Sequence, residues 1–417
     1  MPISRIALAL SVSVASGMTL AQDPGTDSRY PDLVQTSSDE EAIGVYIVPL
    51  RGQVGTDILP ELYEPIIEDI KGQGADIVIF HVDSHDRKNI DDEAVDIFKG
   101  RDAQPGQADS SYPALKPMGD LRQAFNDELP EDIQQICYVE DAMSVASLLA
   151  LSWDQMYIDP DAEFGGAYVV WAWMAAPVAG DSQKYGKYLR AIMGDVQGIA
   201  QYGGWDGVGR REFVRAMVVP EARASTTWRG RDATWYRDAR GDLMVDSVGE
   251  MPRKADMGSL AQSTINLSGM EADQLLVADG TAARDRFVKD ILAQLGHRRF
   301  RIVGNASDAV EKHRASWRSA ASRARENFLL YRRMSGGGFM YQLQAALKGL
   351  NSYISAIKSN KAVETRMRLE RMPTDVTALE MQRDDLKELI RNRRGGGGGG
   401  RGGGGGLGGG GGGPGGI

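Results

Sequence analysis

The chain has 417 residues, of which 42% are hydrophobic, enough for one large globular domain and a smaller one. Its net charge of −9 is uneven, because acidic residues prevail before residue 297 and basic residues after it. The single cysteine, Cys137, excludes an internal disulfide. It lies in the strand-like run IQQICYV and is predicted to be buried.

The N-terminus has the pattern of a secretory signal peptide. Arg5 supplies a positive charge, an apolar run of small residues follows, and Thr19-Leu20-Ala21 resembles a cleavage site. A short membrane anchor is the alternative, although the run is shorter than the ~20 residues of a spanning helix. The sequence therefore predicts an exported protein of the periplasm or cell envelope. Residues 22–42 are polar and are expected to form a flexible linker.

The predicted elements beyond residue 42 alternate between strands and helices. Strands are predicted at 42–50, 75–82, 133–139 and 155–159, and helices at 57–74, 91–100, 118–129 and 144–152. This alternation favours a parallel sheet with crossover helices, hence an α/β fold. Further along, 183–218 is predicted to be helical and 224–248 to contain a hairpin. Residues 269–296 are predicted as helix, short strand, turn and helix.

The C-terminal region has a different character. Residues 297–394 are predicted to form a basic helical appendage, either a helical hairpin or a self-associating coiled coil. Its apolar stripe follows 4-3-4-3 spacing and comprises Leu343, Leu347, Leu350, Ile354 and Ile357. Residues 395–417 contain 19 glycines in 23 positions and are expected to be a disordered tail.

Three segments carry a resemblance to a known family. They are VYIVPLRGQVGTDILPELYEPIIEDIKGQGADIVIFHVDS, DAMSVASLLALSWDQMYIDPDAEFGGA and NLSGMEADQLLVADGTA. In order and spacing, residues 43–296 resemble the Clp protease/crotonase superfamily. Within it they are most similar to the NfeD-like serine proteases, relatives of signal peptide peptidase A. The resemblance implies a parallel β-sheet spiral with crossover helices. It also implies an endopeptidase that cleaves hydrophobic peptide segments and assembles into homo-oligomers.

The resemblance implies a Ser-Lys dyad. Ser144 stands where the family has its nucleophile, and Lys184 matches the lysine base at the start of a later helix, with Lys187 as runner-up. A serine hydroxyl needs such a base to become a nucleophile, and a lysine base must be uncharged, hence buried. The Val145 N–H would donate to the oxyanion. The alternative for Ser144 is a small residue that begins a helix, and for Lys184 a solvated lysine.

An aromatic loop follows the nucleophile segment, within GAYVVWAWMAAPVAG. Its apolar side chains could form a dry substrate groove beside the lysine. The candidate groove residues are Tyr168, Trp171, Trp173 and Met174. The alternative is ordinary core packing or subunit packing.

The chain departs from the family at the end of its second strand. The family has T-P-G-G there, and its glycines donate the second oxyanion hydrogen bond, whereas this chain has Ser84-His85-Asp86-Arg87. Asp86 is electrostatically unsuited to that place, and Arg87 is the candidate replacement for the missing amides. Loss of one oxyanion donor typically costs ~10²–10³ in rate. A catalytically silent scaffold or binding protein of the envelope therefore remains the alternative to the enzyme.

Other chemistries are less favoured. His81, Asp83 and His85 alternate along one strand and could suggest a metal site, but a polar strand end is the simpler interpretation. No metal and no cofactor is predicted. The basic helical region could contact an envelope or membrane surface, whereas the arginine- and glycine-containing tail resembles nucleic-acid-binding tails. Because export would keep the tail from nucleic acid, no such partner is expected.

Overall fold

The computed structural model describes residues 33–36, 41–84, 113–175, 178, 180–207, 209–220, 222–230, 232–237, 240–245 and 264–395. The predicted signal peptide, the helix predicted at 91–100 and the predicted tail after residue 395 lie outside these ranges. Throughout the part described, the predicted α/β fold with a C-terminal helical part is confirmed.

A largely parallel sheet forms the centre of the molecule. Its strands are β1 (Val34–Gln35), β2 (Ile43–Arg51), β3 (Ile77–Ser84), β4 (Gln134–Met143), β5 (Met156–Ile158), β6 (Glu163–Gly165), β10 (Asn266–Ser268), β11 (Gly280–Thr281) and β12 (Arg299–Asn305). The spatial order is β1-β12-β2-β3-β4-β5-β11, with every neighbouring pair parallel. β6 runs parallel to the end of β4, and β10 is antiparallel to β6. β2 and β3 read as continuous apolar runs because they lie in the middle of the sheet.

Helices cover the sheet. They are α1 (Pro60–Gln73), α2 (Leu115–Glu128), α3 (Val145–Ala150), α4 (Tyr168–Met174), α5 (Ser182–Ala200), α6 (Arg210–Val218), α7 (Gly269–Gln274) and α8 (Phe287–Gln294). The local sequence explains where several of these helices begin or end. Pro60 begins α1, Gly74 ends it in the left-handed region, and Ser268 with Glu271 forms a capping box at α7. Cys137 is buried in β4, as predicted, and its burial raises the pKa of the thiol.

The segment predicted as a hairpin is a three-stranded antiparallel sheet. It contains β7 (Ala224–Arg229), β8 (Asp232–Arg237) and β9 (Leu243–Val245), in the order β8-β7-β9. Trp235 of β8 packs on Phe213 of α6, with their ring centroids 4.6 Å apart. The small sheet is thereby attached to the main core.

The C-terminal part contains four helices, α9 (Ser307–Ser335), α10 (Met340–Ser359), α11 (Lys361–Leu369) and α12 (Val376–Gly395). The predicted apolar stripe of α10 is turned inwards, with Leu343, Leu350, Ile354 and Ile357 buried among these helices and Leu347 partly buried. The stripe thus serves packing within the chain, and self-association remains a prediction. In the part of the chain that is described, no helix is both long enough and apolar enough to span a bilayer.

The central sheet extends past both predicted boundaries at 42/43 and 296/297. β1 comes from the predicted linker, and β12 comes from the segment assigned to the helical appendage. Side chains from the helical part, Val310 and Leu369, also belong to the hydrophobic core of the α/β part. The division into domains at these positions stays a prediction.

Candidate active site

Ser144 occupies the turn between β4 and α3. Its backbone has φ 61° and ψ −129°, a conformation that residues other than glycine rarely adopt. Such strain persists only where the surrounding structure imposes it, and it concentrates at functional positions. A serine on a strained strand-to-helix turn is the geometry of a nucleophile elbow, which projects the hydroxyl away from the strand.

The surroundings hold this backbone in place. The Ser144 N–H donates a 2.8 Å hydrogen bond to the Gly165 carbonyl, where β6 pairs with the end of β4. Ser147, one turn on, donates from its hydroxyl to the Ser144 carbonyl at 2.6 Å. Gly165 has φ 126°, and a Cβ there would stand 2.4 Å from the Ile265 carbonyl oxygen. Glycine is therefore required beside the turn.

The Ser144 hydroxyl itself is unengaged. The residue is only 5% exposed, and its Oγ has no hydrogen-bond partner among the residues described. Buried polar groups nearly always find partners, so an orphaned one calls for an explanation. The missing partner would be explained if Ser144 is a nucleophile whose hydroxyl contacts a base and a substrate only when the substrate binds. Val145 begins α3, so its N–H lies outside the helix's own hydrogen-bond ladder and is free in principle to serve an oxyanion.

Lys184 lies at the start of α5, as the sequence predicted, but it is not joined to Ser144. Its amine is 3.4 Å from an Asp181 carboxylate oxygen, and its side chain is 63% exposed. Asp181 caps α5 by accepting hydrogen bonds from the N–H groups of Gln183 and Lys184. The Lys184 N–H bond is the main reason that the pKa of Asp181 is lowered. Lys184 is thus held as a solvated partner of a carboxylate, and Lys187 is exposed as well.

The predicted aromatic loop is a helix, α4, rather than a loop. Tyr168 and Met174 belong to the hydrophobic core, while Trp171 and Trp173 are partly buried against it. The Trp171 indole N–H donates to the Tyr185 hydroxyl at 3.1 Å, which ties α4 to α5. Two of the four predicted groove residues are therefore core residues here, and the two tryptophans are the ones with exposed surface.

The predicted oxyanion residues Asp86 and Arg87 lie outside the described residues, as does His85. β3 ends at Ser84, whose hydroxyl donates to the Gly52 carbonyl at 2.8 Å. The His81 side chain contacts Glu140, with its Nε2 2.7 Å from a carboxylate oxygen. Glu140 also forms an ion pair with Arg284. The hydrogen bond with His81 is the main reason that the pKa of Glu140 is lowered. Where the structure is described, no three side chains are grouped to hold a metal ion.

A buried carboxylate near this edge of the sheet was not found by sequence reasoning. Asp57 follows β2, is 1% exposed, and accepts hydrogen bonds from Trp317 Nε1 at 3.0 Å and Arg318 at 3.1 Å. Arg314 lies 3.4 Å away. Burial alone would lower the Arg314 pKa, but the charges and hydrogen bonds of Asp57 and Glu311 together outweigh it and raise that pKa. The carboxyl ends of β2, β3 and β4 share one edge, so α9 is anchored at the edge that carries Ser144.

A second contact from the helical part reaches the aromatic helix. The Arg371 guanidinium lies 5.2 Å from the ring centroid of Trp173, within cation–π range. Arg371 itself has φ 54°, an uncommon value for an arginine. Because Trp173 and Arg371 are about 200 residues apart in sequence, no local sequence pattern predicts the contact. The helical part therefore borders both the loop after β2 and the predicted groove.

Comparisons with known proteins add a distant structural likeness. No protein-family model matches this chain, and a search of curated proteins finds no match. Among solved structures, a mutant of the 1510-N membrane-bound stomatin-specific protease is similar at 14% identity and a TM-score of 0.31. That match covers 61% of this chain and 84% of the other. A second mutant of the same protease, in complex with a substrate peptide, gives 13% identity and a TM-score of 0.31, over 60% and 80%. At these values neither likeness assigns an activity or a residue role.

Proposed function

We propose that this chain is a serine endopeptidase-type hydrolase whose nucleophile is Ser144. The observation that carries the proposal is the combination of a strained backbone at Ser144 with a buried hydroxyl that has no partner among the described residues. A merely structural serine at a helix start would use its hydroxyl as a cap, and Ser144 makes no side-chain cap.

The proposed reaction is acyl transfer. The Ser144 Oγ attacks the carbonyl carbon of a peptide bond as its proton passes to a base, and the C–N bond then breaks. The amine leaves with that proton, and water hydrolyses the resulting ester to regenerate Ser144. The Val145 N–H supplies one hydrogen bond to the oxyanion. Trp171 and Trp173, the partly buried tryptophans of α4, favour peptides with apolar side chains.

Lys184 is the proposed base, and it can act only after the start of α5 rearranges. In the present conformation its amine pairs with Asp181 and makes no contact with Ser144. Substitution of Asp181→Ser removes the carboxylate and retains a good helix cap. We expect this variant to hydrolyse peptide faster than the unaltered chain, because the Lys184 amine is no longer held by the carboxylate. An unchanged rate of hydrolysis would assign the base to another group.

Peptide hydrolysis tests the proposed function. A quenched fluorescent peptide with a hydrophobic segment is incubated with the full chain and with Ser144→Ala, Lys184→Met and Ser147→Ala. We expect the first two substitutions to abolish hydrolysis and Ser147→Ala to lower it without abolishing it, because the Ser147 hydroxyl only supports the Ser144 carbonyl. Hydrolysis that persists in Ser144→Ala would refute the proposed nucleophile.

A second function is favoured by one observation, the exposed and paired Lys184. If no rearrangement brings a base to Ser144, the fold is a catalytically silent scaffold or binding protein. Peptide cleavage distinguishes the two proposals, since a scaffold would bind the hydrophobic peptide without cleaving it. A folded chain that binds and never cleaves, at any pH from about 6 to about 10, would support the scaffold.

The cellular place is proposed from the sequence. The pattern of residues 1–21 favours export to the periplasm or cell envelope, with cleavage after Ala21. The N-terminal sequence of protein recovered from an envelope fraction tests this, and an intact Met1 would favour the membrane anchor instead.

A further inference from the structure

One end of the helical part combines exposed aromatic rings with arginines. Phe339 and Tyr341, at the turn between α9 and α10, are 67% and 65% exposed. Their rings stack on each other with centroids 6.0 Å apart. Soluble proteins do not ordinarily leave two such rings together in water, and exposed apolar patches of this kind mark interaction sites.

The end of α12 brings arginines to the same place. Arg393 donates to the Gly338 carbonyl, which fixes the last turn of α12 beside the two rings. Arg391 and Arg394 are exposed in the same two turns. We call Phe339, Tyr341, Arg391, Arg393 and Arg394 the arginine–aromatic tip.

The charge around the tip is mostly positive. Arg332 and Arg333 lie in the last turn of α9, and the first turn of α10 carries no acidic residue. The acidic residues of α12 precede the arginines. They are Glu380, which pairs with Lys358, Asp384, which pairs with Lys387, then Asp385 and Glu388. The tip therefore favours an anionic partner.

We propose that the arginine–aromatic tip docks on an anionic lipid surface. The geometry favours a plane over a groove. Successive helical residues are rotated by about 100°, so Arg391 and Arg394 lie about 60° apart on one face of α12, and Arg393 lies on another face, towards Gly338. A flat sheet of headgroups that meets the helix end-on reaches both faces, whereas a peptide or nucleic-acid strand would follow one of them. Phe339 and Tyr341, beside the last turn of α12, enter the boundary between headgroups and acyl chains, where aromatic rings are favoured.

The binding is weak and reversible, because two rings bury little apolar area and the arginines act mainly by charge. Vesicle binding is also independent of the chemistry at Ser144. A chain that fails to hydrolyse peptide can still bind vesicles, and a chain that fails to bind vesicles can still hydrolyse peptide.

Vesicle flotation of the full chain tests the proposal. Neutral phosphatidylcholine vesicles are compared with vesicles that contain roughly one-third phosphatidylglycerol, at about 0.1 M and about 0.5 M salt. We expect binding to the anionic vesicles that weakens at high salt. Phe339→Ser/Tyr341→Ser and Arg391→Glu/Arg394→Glu should each weaken the partition about tenfold or more.

Two matched variants control for general effects. Met381→Ser removes an equally exposed apolar residue, 65% exposed, from the first half of α12. Arg211→Glu/Arg298→Glu makes the same change in net charge at exposed positions of other elements. Both should bind as the unaltered chain does.

Three results would overturn the proposal. The first is equal binding to neutral and anionic vesicles, or an equal loss in the control variants. The second is binding of a single-stranded oligonucleotide through the tip without any binding to vesicles. The third is a dimer that the tip substitutions convert to a monomer while vesicle binding is absent throughout.

Discussion

The Ser144 N–H and the Gly165 carbonyl are joined by a 2.8 Å hydrogen bond. The bond fastens the nucleophile candidate to a glycine that no other residue can replace without a clash. Strand pairing between Met143 and Gly165 aligns the two segments immediately before the turn. The strain at Ser144 is therefore held by the sheet and not by the hydroxyl.

Gly165→Ala should lower the free energy of unfolding by roughly 2 to 4 kcal/mol, because the new Cβ meets the Ile265 carbonyl and the backbone has φ 126°. Gly194→Ala is the matched control. Gly194 is exposed in α5 with nothing within 4 Å of its would-be Cβ, so alanine should stabilise by about 0.5–1 kcal/mol. Urea denaturation of both variants measures the two values. Equal stability of the two variants would contradict the described turn.

Asp57→Ala should destabilise the chain by roughly 2 to 4 kcal/mol, because it leaves the Trp317 N–H and two arginines without their buried acceptor. A double-mutant cycle with Trp317→Phe should give a coupling of about 1 kcal/mol. Asp120→Asn, which breaks an exposed pair with Lys116, should cost less than about 0.5 kcal/mol. Additive effects of Asp57→Ala and Trp317→Phe would show that the contact does not anchor α9.

Glu370 should make the helical part sensitive to acid. Burial alone would raise the pKa of Glu370, but hydrogen bonds and charge from Arg325 and Arg366 lower it below its ordinary 4.5. A carboxyl whose folded pKa is depressed contributes stability above its unfolded pKa, and that stability is lost as pH falls through the folded pKa.

The melting temperature measured between about pH 6 and about pH 3 checks this. The unaltered chain should lose more stability on acidification than Glu370→Gln, which lacks the titrating group. Parallel curves for the two proteins would exclude Glu370 as a source of the acid sensitivity.

The parts of the fold that sequence predicts are those with strong local patterns. The continuous apolar runs of β2 and β3 and the amphipathic α1 were predicted to within a few residues. α4 was predicted as a loop because its seven residues are too few for a clear helical period. β12 was missed because arginines interrupt its apolar alternation.

The site shows the same division. The resemblance selected Ser144, and only the three-dimensional structure reveals its strained backbone and a hydroxyl that meets no partner in the part of the chain that is described. Lys184 pairs with Asp181, the N-cap residue of α5, which lies three residues before it. An aspartate at this spacing before a helix is visible in the sequence, so the pairing could have been predicted. The Asp57–Trp317 contact spans 260 residues, so no local pattern could have predicted it.

Peptide mapping after reaction with a fluorophosphonate tests directly whether Ser144 is the nucleophile. The full chain, Ser144→Ala and Ser147→Ala are labelled between about pH 6 and about pH 10, where a lysine base would lose its proton. We expect one adduct, on Ser144, that persists in Ser147→Ala and is absent from Ser144→Ala. An adduct that survives in Ser144→Ala, or folded protein that never reacts beside a reactive reference hydrolase, would contradict it.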